Sequence, residues 1–167
     1  MVRVGLLTVS DEVSQGRVRD EASQAIRAVL PNEQFEVAGY EIVPKESAQI
    51  KRVLRLWTDR EGFDFIITSG GIHLNVKDHV PAATQELVER DLPGLPEIIR
   101  VGMFKKYPNE VYSRGRAGIR VNSLILNVSG DPEVAVYSLR IVLPVIPQIV
   151  ATITGRPMLN FNQATTI

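Results

Sequence analysis

Four short stretches carry the residues whose types and spacing can do chemistry. The most pointed is Ser69-Gly70-Gly71-Ile72-His73-Leu74-Asn75-Val76-Lys77-Asp78. Paired glycines let a ligand approach the backbone, and consecutive amide hydrogens can form a nest for an anion. Lys77 adds a local positive charge, while Asp78 can accept a proton or hold a divalent cation through oxygen. Ser10 and Asp11 offer a hydroxyl and a carboxylate for ligand contact, or alternatively a cap on the turn that follows. Ser113-Arg114-Gly115-Arg116 brings two guanidinium groups beside a hydroxyl, a set suited to bidentate contacts with phosphate or carboxylate, or else a solvated basic turn. Asn127-Val128-Ser129-Gly130-Asp131-Pro132 lies where a helix N-terminus directs free amides towards phosphate, with Asp131 as the competing occupant in the role of helix cap.

Taken together these placements favour phosphate chemistry, and several other classes are excluded. The glycine pair matches neither the P-loop nor the dinucleotide-binding spacing. His73 and His79 are six residues apart, and the chain contains no cysteine to complete a zinc set. A nucleophile elbow and a Ser-His-Asp order are both missing. Lysine plus arginine equals aspartate plus glutamate at 19 each, so no global field draws the chain to nucleic acid or to an anionic membrane.

The elements that must position these loops follow from hydropathy. Val2 to Ser10 is a near-continuous apolar run, the pattern of a central strand buried on both faces, and it is too short to span a membrane. With no small-residue cleavage pattern behind it, a cytoplasmic protein is expected. Asp20 to Leu30 forms an amphipathic helix, Phe35 to Val43 a strand nearer the sheet edge, and Ser47 offers the N-cap of a helix carrying Ile50, Val53, Leu54 and Trp57. Asp64 to Thr68 is a buried strand ended by the glycine pair. Two helices follow, one with Pro81 in its first turn and one after Pro93-Gly94. Arg116–Arg120 and Ser123–Val128 read as a hairpin turning at Val121-Asn122, and a helix starts after Asp131 and breaks near Pro144 and Pro147. Strands alternating with helices predict an α/β domain, a three-layer sandwich around a mostly parallel sheet. Residues 1–154 form this single domain, and 155–167 a weakly structured tail.

The order of the pieces resembles the molybdopterin adenylyltransferase family, which includes the gephyrin G domain. The likeness runs from about Val4 to Val150 through Thr8-Val9-Ser10-Asp11, Asp64 to Gly71, Asp78 with Pro81-Ala82, Pro93-Gly94, Ser113-Arg114, and Leu124-Ile125-Leu126-Asn127 before Gly130 and Pro132. The resemblance implies the molybdopterin-binding type of α/β sandwich, a homotrimer, and transfer of AMP from magnesium-ATP to the terminal phosphate of molybdopterin. By the same analogy Asp78 is the catalytic, Mg2+-linked carboxylate. Ser10, Asp11, Ser69, Gly70, Gly71, Ser129 and Gly130 then contact substrate, while Ser113 and Arg114 hold the pterin phosphate.

Four positions depart from the family's pattern. Lys45 stands after Pro44 where an aspartate is usual, Ile72 and His73 replace a threonine and a third glycine, and Asp131 replaces a serine or asparagine. Ile72 and His73 are expected to narrow the anion nest, and Lys45 cannot ligate magnesium but can contact phosphate. Two expectations follow: an adenylyltransferase, or a catalytically degenerate member that binds a ligand or acts as a scaffold. The distance from Lys45 to Asp78 and the direction of His73 discriminate them, because a Lys45–Asp78 pair satisfies the carboxylate from within the protein.

Overall fold

The computed structural model describes residues 1–157, so the expected tail falls outside the described residues from position 158 onward. Six strands form one mixed sheet: β1 (Val2–Val9), β2 (Phe35–Val43), β3 (Phe65–Ser69), β4 (Arg90–Asp91), β5 (Ala117–Arg120) and β6 (Ser123–Val128), in the order β2-β1-β3-β6-β5-β4. β1 pairs with β2 and β3 in parallel, and β3 pairs with β6 in parallel. β5 runs antiparallel to β6, and β4 antiparallel to β5. β1 is thus interior and β2 an edge, as the hydropathy of the two runs indicates.

Alternating strand residues split into two cores, because successive side chains in a strand point to opposite faces. Val4, Leu6, Phe65, Ile67, Leu124 and Leu126 face α2 (Glu21–Val29), α5 (Gly94–Met103), α6 (Pro132–Val142) and α7 (Ile146–Thr154). Leu7, Val9, Ile66 and Ile125 face α3 (Ser47–Arg55) and α4 (Val80–Leu87), with Trp57 and Phe63 closing that layer. Ile50, Val53 and Leu54 of α3 are fully buried, each contributing roughly 1.5–3 kcal/mol. A single turn, α1 (Asp11–Ser14), follows β1. The described residues contain no single helix long and apolar enough to cross a membrane.

One local expectation changes, one strand was not expected, and the expected hairpin forms by an unusual turn. Ser47 is the first helical residue rather than the cap: the Ile50 amide already bonds to the Glu46 carbonyl at 3.1 Å, which places the serine hydroxyl one position too late. The two-residue β4, pairing with Gly118 and Ile119, is too short to show any periodicity in sequence. The β5–β6 hairpin turns without glycine by placing Val121 in the left-handed region at φ 53°, a conformation that costs a β-branched residue about 1–2 kcal/mol.

Candidate functional site

The carboxyl ends of β1, β3 and β6 open onto one cavity of about 540 Å³. Such strand ends are where open α/β sheets bind their ligands. Gly70 and Gly71 form part of its wall at φ 95° and 67°. A Cβ at Gly70 would collide with the Val9 carbonyl oxygen, so the backbone turns here only because glycine permits it. The Gly70 amide donates to the Val128 carbonyl at 3.0 Å, which fastens the β3 loop to β6. Ser10, Ser69, Ser129 and Gly130 share the wall, with Lys45, His73, Asp78 and Asp131.

Lys45 and Asp78 pair, with Nζ 2.9 Å from Oδ1. The other oxygen of Asp78 accepts the amides of His73 at 3.1 Å and Asn75 at 3.2 Å. Burial alone would raise the Asp78 pKa, but the Lys45 ammonium and these amides outweigh it and hold the carboxyl below its usual value. Asp11 is tied in the same way. Its Oδ1 accepts the Lys45 amide at 2.8 Å and its Oδ2 the Lys77 ammonium at 3.0 Å, and these bonds lower its pKa. Two lysines thereby lock the loops after β1, β2 and β3 to one another. The fit to a divalent cation is poor for the same reason. Magnesium needs near-octahedral oxygen at about 2.1 Å, and both oxygens of each carboxylate already hold donors.

His73 turns its ring to Glu110, with Nε2 3.0 Å from both carboxylate oxygens. The Glu110 hydrogen bond raises the His73 pKa above 6.5, against burial, which lowers it. Ile72 corrects the expectation of a narrowed nest. Its side chain is 2% exposed and packs into the core with Val80, away from the cavity wall. Asp131 is the cap of α6, accepting the Glu133 and Val134 amides at 3.0 and 3.1 Å. Ser10 both lines the cavity and caps α1, accepting the Val13 amide at 3.2 Å. Asp11 braces the site from outside its wall.

Ser113 and Arg114 lie apart from this cavity. They line a second one, of about 410 Å³, with Arg100 and Arg116. The Arg114 amide donates to the Ile72 carbonyl at 2.7 Å, so the backbone around Ile72 and His73 separates the two cavities. Sequence reasoning missed Asp20 on the main wall, where one oxygen accepts the Thr8 and Tyr40 hydroxyls at 2.6 and 2.5 Å. Its place before an amphipathic helix announces only a cap. Glu110 lies in a 3₁₀ turn, Pro108–Tyr112, whose sequence carries no signal that it reaches His73.

Fold and cavity define an α/β domain with a cavity beyond the carboxyl ends of its parallel strands. The chain belongs to the probable molybdopterin binding domain family, whose pattern matches residues 5–148. It is similar to the molybdopterin adenylyltransferase of Helicobacter pylori, 35% identical over 163 residues that cover 94% of this chain and 90% of the relative. It is also similar to the gephyrin of Dictyostelium discoideum, 30% identical over 92% of this chain and 23% of that longer protein. Among solved structures it resembles the molybdopterin biosynthesis enzyme MoaB of Thermus thermophilus, at 50% identity and a TM-score of 0.91, covering 95% of this chain and all of the other.

Proposed function

We propose that the chain serves molybdenum cofactor biosynthesis by binding molybdopterin in the cavity at the ends of β1, β3 and β6. The phosphate rests against the Gly70-Gly71 backbone and the Ser129-Gly130 turn. The observation that carries this reading is the juxtaposition of the Gly70-Gly71 turn with the Lys45 ammonium on one cavity wall. Hydrogen-bond donors held in place before the ligand arrives are what phosphate recognition requires. Ser113 and Arg114 hold a further part of the ligand from the adjoining cavity, and the protein assembles as a homotrimer.

A second reading, adenylyl transfer, is favoured by the similarity to the molybdopterin adenylyltransferase of Helicobacter pylori. Here a molybdopterin phosphate oxygen attacks the α-phosphorus of ATP, the bond to the β-phosphate bridging oxygen breaks, and pyrophosphate leaves. Alignment and charge neutralisation drive such a step more than any protein nucleophile.

One experiment separates the two. Purified protein is titrated with molybdopterin by pterin fluorescence, magnesium and ATP are then added, and adenylylated pterin and pyrophosphate are measured. Binding without product leaves the binding reading alone. Product formation establishes transfer, and Asp78→Asn is then expected to slow it at least about tenfold by releasing Lys45 from its position. An absence of pterin binding overturns both, and light scattering checks the trimer.

A further inference from the structure

We infer that Lys45 is the resident cation of this cavity, and that the protein binds a phosphate monoester with no divalent metal between ligand and carboxylate. The inference rests on the binding reading above and specifies its electrostatics. A metal that bridges phosphate to protein needs a carboxylate oxygen to hold. Asp78 has little to give: Oδ2 receives two amides, Oδ1 is 2.9 Å from the Lys45 ammonium, whose charge repels a second cation, and the side chain is only 5% exposed. Asp11 is answered in the same way, its oxygens receiving the Lys45 amide and the Lys77 ammonium. Among the described residues no group of three metal-holding histidine, aspartate or glutamate side chains occurs.

Lys45, by contrast, is built to face an anion. Its amide is anchored on Asp11 and its Nζ on Asp78, yet the side chain remains 28% exposed on the cavity wall. An ammonium carries three donors, and Asp78 takes one of them. A charge already pinned at both ends loses little freedom when phosphate arrives. Of the other carboxylates on the wall, Asp20 is engaged by two hydroxyls and the Ser23 amide and Asp131 by the first turn of α6, while Glu12 and Glu21 are exposed on the side of α1 and α2. Because Asp131 fills the α6 N-terminus, the positive charge on this wall comes from the side chains of Arg19 and Lys45, of which Lys45 is held in place by its pair with Asp78.

The test compares molybdopterin affinity in EDTA with that in excess magnesium, by pterin fluorescence. The affinities are expected to agree within about threefold, and Lys45→Met to weaken both by about tenfold or more. Manganese titrated into metal-free protein and followed by electron paramagnetic resonance is expected to stay free in the wild type and to bind in Lys45→Asp, which supplies a second carboxylate. Binding that appears only with magnesium overturns the inference and leaves the binding reading standing. Unchanged affinity in Lys45→Met, or manganese held by the wild type, also overturns it. No pterin binding under either condition overturns both. The wild-type comparison decides the matter even where a variant fails to fold.

Discussion

The loops that leave β3 and β6 start from neighbouring parallel strands, meet through Gly70 and Gly130, and handle charge in opposite ways. After β6 the chain makes the helix N-terminus that ordinarily attracts an anion, then fills it with its own Asp131 carboxylate. After β3 there is no immediate helix, and the loop's Asp78 is answered by a lysine from another loop. The cation fixed beside the β3 loop therefore comes from a side chain 33 residues away and not from a helix dipole.

The largest expected effect tests whether the two glycines are as unequal as their surroundings. Gly70→Ala forces a Cβ onto the Val9 carbonyl from a positive φ and should cost at least about 3 kcal/mol in urea unfolding. Gly130→Ala meets the Gly70 Cα at 3.2 Å and its amide nitrogen at 3.7 Å, and should cost about 1–2 kcal/mol. Equal costs would show that the cradle is not specific to the β3 loop. Next comes Asp131→Ala, which should lower stability by about 1 kcal/mol and, by opening the α6 N-terminus, strengthen phosphate-ligand binding about threefold. Unchanged or weaker binding would mean that the cap does not compete with the ligand.

The smallest effect concerns the clasp behind the β3 loop. Because His73 has a folded pKa above 6.5, its pairing with Glu110 stabilises fully below that value, and the contribution is lost as pH rises through the folded pKa. Both groups are partly solvated, so the span should be no more than about 1 kcal/mol. Glu110→Gln should flatten this part of the stability curve, and a slope that persists in the variant would assign it to another group.

Hydropathy alone laid out the core. The Ile50, Val53, Leu54, Trp57 spacing located a buried helix face, and the apolar run of Val2 to Val9 located an interior strand. Pattern works there because burial imposes a period. The glycine pair was equally legible, since a positive φ restricts residue choice at one position. What hydropathy left open were contacts made by long side chains between loops. Lys45 to Asp78 and His73 to Glu110 join residues 33 and 37 apart with no repeating pattern, and Ile72 turned to the core where its place in the loop suggested the ligand. Ser113 and Arg114 lie away from the main cavity, because the segment that leads into the reversed strand β5 delivers them to the adjoining one.

At the other end of the sheet, buried Asp64 ties the amide of Arg3 at the start of β1 and the guanidinium of Arg156 beyond α7 to the entry of β3. This clasp lies at the opposite pole from the cavity. Tension applied through the N-terminus loads β1 in shear between two parallel partners, the direction in which ladder hydrogen bonds must break together and not one by one. An N-terminal tether would hold the molecule firmly to a sensor surface while leaving the cavity mouth turned to the solution.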